Sequence, residues 1–388
     1  MLSLRYSWLG AVLLVCSAHA QGEVQAPSQA ESRHLYLGAD LSYVNEMEDC
    51  GTVYRENGEV KDPFVIFKEH GANLVRVRLW NDASWTQYSD LSDVKKTIRR
   101  AKQQGMQVLL DFHYSDDWAD GDKQIIPKAW ASITDVNDLA QVLYNYTYDM
   151  LTTLDRAGLM PDMVQVGNET NPELMSSPSA DKLASKTRNI DWQRNAKLFN
   201  AGIRAVRDAG KTASINPKIM LHIAQPENVE PWFAAAEQAG VTDFDVIGIS
   251  YYKKWSTRSM AQLGETIKRL RATYNAEVLV VETAYPWTLE WADKMPNLLG
   301  KDSLIKKYPA TPEGQKQYLI DLTQMVISNG GGGTVYWEPG WVSTQCKTRW
   351  GQGSAWENDT FFDFKHGNEL LPGIDFMKHP YQLPQAGE

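Results

Sequence analysis

Two glutamates, each at the end of a predicted buried strand, are the side chains of this 388-residue sequence best suited to catalysis. Met163 to Val166 has the apolar, β-branched character of a short strand, and Glu169 follows three residues later. The apolar run from Glu277 to Val281 leads directly into Glu282. Two facing carboxyl groups can cleave a glycosidic bond, because one protonates the leaving oxygen while the other stays ionised to attack. The simpler alternative is that both glutamates are ion-pair partners at strand ends.

Four further side chains near the predicted strand ends could bind a substrate or assist the two carboxyl groups. Asn168 directly precedes the first glutamate, and its amide could bond a sugar hydroxyl beside the cleaved bond. We expect Arg78 and Tyr251 to contact Glu282, and an arginine there would hold the pKa of that carboxylate down. Arg78 could instead belong to an ion pair inside the fold. Trp337 could lie beneath the cleaved sugar or belong to the core.

Aromatic side chains are abundant, with 14 tryptophans and 17 tyrosines. They could build a large core, or they could line a cleft, because sugars present apolar faces on which flat rings stack. The tryptophans that follow predicted strand ends, and so could line such a cleft, are Trp118, Trp255, Trp287 and Trp341. Rival carboxylates near strand ends are Asp40, Asp111, Glu173 and Glu338. His113 and His222 could be satisfied core histidines, so the pattern gives neither a catalytic role.

Several other classes of protein are disfavoured by composition and by missing motifs. The net charge of −9 and the isoelectric point near 5.4 argue against nucleic acid as a partner. The sequence has no His-Glu-x-x-His zinc motif and no Gly-x-Ser-x-Gly elbow. Cysteines are too few for a structural zinc site. We therefore expect neither a metal nor a cofactor.

The first residues have the features of an export signal. Met1 to Ala20 has an early arginine, an apolar run and a small-residue cleavage site, and the run is too short to span a membrane. Residues 21–33 are polar and predict a flexible lead. An exported mature chain would keep Cys50 and Cys346, which could form a disulfide. They follow the first and last predicted strands, which would be neighbours in a closed barrel.

The rest of the chain alternates strands and helices, which predicts a (β/α)₈ barrel in one domain, residues 34–388. The alternative, a doubly wound sheet, would want a Gly-x-Gly-x-x-Gly turn after its first strand, and none is present. The predicted strands are Leu35–Leu41, Asn73–Trp80, Met106–Phe112, Met163–Val166, Lys218–Ile223, Asp245–Tyr252, Glu277–Glu282 and Thr334–Trp337. In such a barrel the C-terminal strand ends form one mouth, with strands four and seven opposite each other.

The segments around the two glutamates resemble the catalytic segments of glycoside hydrolase family 53, a family of retaining endo-β-1,4-galactanases. The matching segments are Val166–Glu169, Val281–Pro286, Arg76–Trp80, Asp111–Asp116, Trp118–Asp120, Trp356–Asn358 and Phe362–Phe364. The resemblance runs in order from about residue 34 to about residue 375. It implies Glu169 as acid/base, Glu282 as nucleophile and β-1,4-galactan, a side chain of pectin, as substrate. The residues we expect to bind substrate are Arg78, His113, Asp116, Trp118, Asn168, Tyr251, Trp287 and Trp337.

Two alternatives stay open at this point. The Asn-Glu pair alone would also fit related retaining barrels that act on mannan or xylan, and a barrel could bind a polysaccharide without cleaving it. Some bacterial members of the family hold calcium in the loop after the seventh strand. Here residues 288–297 lack a run of oxygen ligands, so we expect no calcium. We expect a secreted monomer with no membrane partner.

Overall fold

The computed structural model describes residues 34–176 and 190–384. The predicted signal peptide and flexible lead lie outside the described residues. Eight parallel strands close into a barrel, in which every strand pairs with the next in sequence and the last pairs with the first. The strands are β1 Tyr36–Asp40, β2 Leu74–Leu79, β3 Gln107–Phe112, β4 Met163–Val166, β5 Lys218–Ala224, β6 Val246–Ser250, β7 Glu277–Glu282 and β8 Gly333–Tyr336. The predicted barrel is confirmed.

Each barrel strand is followed by a helical element. These elements are Pro63–Glu69, Leu91–Gln103, Val136–Arg156, Trp192–Gly210, Pro226–Gln238, Met260–Thr273, Pro312–Ser328 and the 3₁₀ segment Pro372–Lys378. Four of the helices begin after an aspartate whose carboxylate accepts a backbone N–H of the first turn: Asp62, Asp90, Asp135 and Asp191. No helix in the described part of the chain is long and apolar enough to cross a membrane.

Several short elements lie in the segments after β1 and after β8, and hydrophobic periodicity could not predict them. A helix, Val44–Asp49, follows β1, and a hairpin pairs Lys347–Thr348 with Gly351–Gln352 after β8. A small four-stranded sheet joins two-residue strands from the segment after β1 with others near the C-terminus. The predicted disulfide is also confirmed, because Cys50 and Cys346 are bonded with their Cα atoms 5.8 Å apart.

The barrel interior changes from apolar to polar along the strands. An apolar plug closes one end; it comprises Tyr36, Leu74, Leu109, Met163, Met220, Val246, Leu279, Val281 and Val335. Side chains two residues further along a strand face the same way, because strand side chains alternate with period two. On four strands these positions carry polar groups, namely Arg76, Asp111, Gln165 and His222, all buried. The alternation therefore places these four polar side chains in one layer just below the mouth. We call it the charged layer, because it contains Arg76 and Asp111.

Candidate active site

The two predicted glutamates meet at the mouth of the barrel. Carboxylate oxygens of Glu169 and Glu282 and a ring nitrogen of His222 all lie within 4.8 Å of one another. Glu282 is only 5% exposed, whereas Glu169 is partly exposed towards the mouth. The structure thus brings together two carboxyl groups that are more than a hundred residues apart in the chain.

A strained turn presents Glu169 to the mouth. After β4 ends, Gly167 has φ +84° and Glu169 has φ +44°, both in the left-handed region. A Cβ at position 167 would lie 2.6 Å from the methyl group of Thr170, so this site needs glycine. A non-glycine residue with positive φ costs roughly 1–3 kcal/mol and is typical of functional sites. Tyr114, Gln225 and Glu338 also have positive φ, just past β3, β5 and β8.

Arg76 is the charged centre of the site. Its Nη1 lies 2.7 Å from Glu282 Oε1 and 3.0 Å from Asp40 Oδ2. Its Nη2 donates to Asp111 Oδ2 at 2.8 Å and to Asn168 Oδ1 at 2.6 Å. Burial alone would lower the pKa of Arg76, but the three surrounding carboxylates outweigh it and raise that pKa. Arg76 therefore stays charged, pairs with Glu282 and orients the amide of Asn168.

The prediction that Arg78 contacts Glu282 is wrong. Arg78 lies two residues further along β2, above the charged layer, and its Nη1 donates to Glu338 Oε1 at 2.5 Å. Its guanidinium packs 4.3 Å from the ring centre of Tyr43 and 4.5 Å from that of Trp118. The deeper Arg76 reaches across the barrel to β7, whereas Arg78 stays on the side of β1 and β8.

The prediction for Tyr251 is also wrong, by one residue. Tyr252 Oη donates to Glu282 Oε2 at 3.1 Å, while Tyr251 Oη donates to the carbonyl of Arg258 at 3.3 Å. The pairing of β6 with β7 shifts register between Ile249 and Ser250. Such an irregularity redirects the side chains that follow it. Simple alternation along β6 therefore selects the wrong tyrosine.

The electrostatics of the pair favour one shared proton. Burial raises the pKa of Glu169 to about 7, and nearby Asp120 adds to the increase. Burial raises the pKa of Glu282 to about 8, although the guanidinium of Arg76 opposes that increase, and the neighbouring carboxylate of Glu169 adds to it. We place the proton on Glu169, because Glu282 has both the Arg76 ion pair and the hydrogen bond from Tyr252. The environments of the two groups thus separate an acid from a carboxylate.

The same donor set has the spacing of a metal site, so its chemistry needs a test. Glu169, His222 and Glu282 could together supply three ligand atoms. His222 already has partners on both ring nitrogens, with Gln165 Nε2 3.0 Å from Nδ1 and Ser250 Oγ 2.8 Å from Nε2. Because the imidazole is held inside the fold, we assign the cluster to acid/base chemistry. In the loop after β7, the Asp293 carboxylate is likewise engaged by protein groups, because it accepts the backbone N–H groups of Met295 and Ser354.

The remaining predicted residues divide into two groups. Trp118 packs over Arg78, with its ring centre 5.8 Å from that of the half-buried Trp337. His113 lies 3.0 Å from Asp111 Oδ2 through its Nε2 and so supports the charged layer. Asp116 and Trp287 instead make protein contacts. Asp116 accepts the backbone N–H groups of residues 82 and 128, and Trp287 Nε1 donates to the carbonyl of residue 357.

Sequence reasoning missed Arg76, Tyr252, Ser250 and the partners of His222. The sequence did contain a signal for Arg76. Side chains two residues apart on a strand face the same way, so Arg76 faces the barrel interior together with the buried Leu74. A second missed feature is a pair of rings beside Trp118: Trp80 has its ring centre 5.4 Å away, and Trp350 lies 6.3 Å away. Trp350 comes from the hairpin after β8, which has no periodic signal.

An eight-stranded parallel barrel with two facing glutamates at its C-terminal mouth is the architecture of a glycoside hydrolase. The comparisons narrow the class, because the sequence model of glycosyl hydrolase family 53 matches residues 36–377. The chain belongs to that family.

Two bacterial relatives match most of the chain. It is 52% identical over 376 residues to the arabinogalactan endo-beta-1,4-galactanase of Cellvibrio japonicus (strain Ueda107), covering 97% of this chain and 99% of the relative. It is 35% identical to the endo-beta-1,4-galactanase of Bacillus subtilis (strain 168), covering 90% and 86%. Among solved structures, the Ignisphaera aggregans GH53 catalytic domain superposes with a TM-score of 0.80 and 32% identity, covering 92% of this chain and 99% of that one.

Proposed function

We propose that this chain is an exported endo-β-1,4-galactanase that hydrolyses the galactan side chains of pectin with retention of configuration. The observation that carries the proposal is the pair Glu169 and Glu282, with carboxylate oxygens within 4.8 Å. Retaining enzymes hold their two carboxyl groups about 5–5.5 Å apart, whereas inverting enzymes need room for a water between them. The names of the two bacterial relatives support galactan as the substrate. The early apolar segment of the sequence supports export.

In the first half of the reaction, Glu282 attacks the anomeric carbon while Glu169 protonates the leaving oxygen. Arg76 and Tyr252 bind the Glu282 carboxylate. Both contacts favour the ionised form of Glu282 and aim its oxygen, and the proton of the pair then lies on Glu169. The raised pKa of Glu169 keeps a proton available near neutral pH. A glycosyl–enzyme ester and a shortened galactan result.

In the second half, Glu169 acts as the base. Departure of the leaving group leaves Glu169 as a carboxylate, which takes a proton from water while the water attacks the anomeric carbon. Glu282 is released as the carboxylate and Glu169 regains its proton. Two displacements at the same carbon give a product with the original β configuration.

Other residues at the mouth would hold the sugar ring at the point of cleavage. Asn168 is fixed by Arg76 on its oxygen and by the carbonyl of Ala119 on its nitrogen. Its amide is therefore oriented before a substrate hydroxyl arrives, which reduces the entropy lost on binding. Trp118 and Trp337 provide the adjacent flat surfaces.

A panel of polysaccharides tests this proposal. Purified mature protein is incubated with β-1,4-galactan, mannan and xylan in parallel, and released reducing ends are measured. We expect rapid release from galactan alone, and loss of that activity in both Glu169→Gln and Glu282→Gln. Preferential release from mannan or xylan would assign a different substrate. Binding to galactan without release by the parent protein would leave a non-catalytic barrel.

A further inference from the structure

A tight turn in the loop after β3 lies against the carboxyl group of Glu169. Asp120 and Lys123 exchange both of their backbone hydrogen bonds, at 2.9 and 3.0 Å, so Gly121 and Asp122 form the tip of the turn. The backbone N–H of Gly121 donates to Glu169 Oε2 at 3.2 Å. The donor belongs to the main chain, so no side-chain rotation can move it away from the carboxyl group.

Gln124 ties this turn to the backbone of the segment that carries Glu169. The side chain is only 4% exposed, and its Nε2 lies 3.1 Å from the carbonyl oxygen of Asp120. The same nitrogen lies 2.7 Å from the carbonyl oxygen of Asn168 and 3.3 Å from that of Glu169. On the other side of the Asn168–Glu169 peptide group, the N–H donates to His222 Nδ1 at 3.3 Å. The turn and the left-handed residue that it touches are therefore held in one relative position.

The loop that contains the turn is anchored from two further sides. Ser176 donates its backbone N–H to the carbonyl of Gln124 at 2.5 Å, and Ile126 donates its own to the carbonyl of Ser176 at 3.0 Å. Lys123 Nζ donates to Asp117 Oδ2 at 2.7 Å. The donor at the tip of the turn is thus fixed before any charge develops on the carboxyl group, which is the arrangement that makes a dipole effective in catalysis.

A donor on one oxygen has a consequence for the other oxygen of the same carboxyl group. A neutral carboxyl group has one carbonyl oxygen, which accepts, and one hydroxyl oxygen, which carries the proton. Because a backbone N–H can only donate, it favours Oε2 as the carbonyl oxygen. The proton of neutral Glu169 then lies on Oε1. Once that proton has been transferred, the same N–H stabilises the carboxylate that remains.

We infer that the backbone N–H of Gly121 determines which oxygen of Glu169 carries the proton, and that Gln124 is a positioning residue that holds this donor in place. The inference rests on the proposed function, in which Glu169 first gives a proton and later takes one. Oε1 gives its proton to the leaving oxygen as the glycosidic bond breaks, and it later takes a proton from the attacking water. Oε2 accepts the same hydrogen bond in both steps.

Charged and titratable groups from the neighbouring elements also act on this carboxyl group. They are Arg76 on β2, Asp120 in the loop after β3, His222 on β5, Tyr252 after β6 and Glu282 on β7. Burial raises the pKa of Glu169 to about 7, whereas the N–H of Gly121 lowers that pKa. Removal of this N–H would change one hydrogen bond and no charge, so its effect can be separated from theirs.

Gly121→Pro tests the donor, because proline has no N–H. Gly121 has a φ outside the left-handed region and follows Asp120, which forms a β-bridge, so the turn can accept a proline. Loss of a hydrogen bond to the charged form should raise the pKa of Glu169 by roughly one unit. The basic limb of kcat/KM on galactan should move upward by that amount. Gly121→Ala keeps the N–H, places its Cβ 3.4 Å from the methyl group of Ala224, and should retain the parent profile.

Two glutamine variants separate positioning from packing. Gln124→Met keeps the size of the side chain and removes its amide, so it should move the basic limb in the same direction. Its shift should not add to that of Gly121→Pro, because both act through one hydrogen bond. Gln315 also donates to buried carbonyls, those of Tyr285 and Asp359 at 2.8 and 3.1 Å. Gln315→Met is the matched control, which should lower the melting temperature and leave the pH profile unchanged. An unchanged basic limb in both Gly121→Pro and Gln124→Met would overturn the inference.

A direct titration keeps the test independent of the substrate. In protein labelled with ¹⁵N-glycine, the Gly121 signal is assigned by its absence in Gly121→Ala. An amide proton bonded to a carboxyl group shifts as that group ionises, so the signal should titrate with a midpoint of about 7. The titration should persist in Glu282→Gln and disappear in Glu169→Gln. A Gly121 signal that does not change with pH, or that titrates equally in Glu169→Gln, would contradict the inference. A parent protein that leaves galactan intact would reject the proposed function, while this titration would still decide the role of Gly121.

Discussion

At the scale of single residues, one arginine accounts for most of the difference between the two glutamates. Arg76 contacts Glu282, Asp40 and Asp111 at once, and it also holds Asn168. A lysine has one compact ammonium group and lacks the planar fork needed to reach several carboxylates in fixed directions. The identity of this residue, beyond its charge, should therefore matter.

Arg76→Lys should lower kcat/KM on galactan about 100-fold or more, because Glu282 and Asn168 lose their common partner. It should also cost about 3–5 kcal/mol of stability, since buried carboxylates are left without a full set of donors. Steady-state kinetics and denaturant unfolding would measure the two effects. Arg269→Lys, at an exposed ion pair with Glu230, is the matched control and should change neither. Activity within a few-fold of the parent would refute the role given to Arg76.

At the scale of elements, the strands that carry the glutamates were predictable, and the side chains around them were only partly so. β4 has the predicted bounds, and β7 ends at Glu282 as expected, because both are apolar runs with a clear change of composition at the end. The partners of Glu282 depend on which layer of the barrel a side chain occupies and on the irregular pairing at Ser250. Local sequence patterns do not record either property.

The disulfide is the second feature that belongs to this scale. Cys50 and Cys346 join the segment after β1 to the hairpin-bearing segment after β8. A bridge between residues 296 apart in sequence should contribute on the order of 4 kcal/mol, by restricting the unfolded chain. The double variant Cys50→Ala and Cys346→Ala should therefore unfold at a clearly lower temperature.

Activity of this variant on a small aryl galactoside should persist, because the bridge touches neither glutamate. Tyr43 also stacks on Trp341 at 4.0 Å between ring centres, which keeps the two segments together. Calorimetry would measure the stability of the variant, and thiol titration of the unreduced parent should find no free thiol from this pair. Two reactive thiols in the mature, air-exposed protein would disprove the bridge.

At the scale of the whole molecule, the barrel supplies both the closed core and the open site. The apolar plug fills one end, the charged layer lies above it, and the loops beyond β1, β3, β4, β6 and β8 complete the mouth.

The architecture was predictable because eight strong apolar runs alternate with amphipathic helices. The two-residue strands near the C-terminus were not predictable, since they exist only through pairing with distant segments. The roles of Asp116 and Trp287 were also not predictable. Both lie in or beside segments that match the family, which suggested substrate contacts, but their side chains are already hydrogen-bonded to protein groups.

Glu282 as nucleophile and Glu169 as acid/base serve different steps of the reaction. Glu169→Ala should still form the covalent intermediate from an aryl galactoside with a good leaving group, because that departure needs no proton. The intermediate should then stall, since no base activates water. Azide needs no base, so it should attack the stalled sugar from the side vacated by the leaving group.

The most direct test is therefore the stereochemistry of the galactosyl azide formed by Glu169→Ala, read from its anomeric proton by NMR. Two displacements at one carbon predict the β-azide, produced in step with a restored turnover as azide is added. The α-azide from this variant would mean a single direct displacement, and it would contradict both the assignment of the two glutamates and the retaining mechanism.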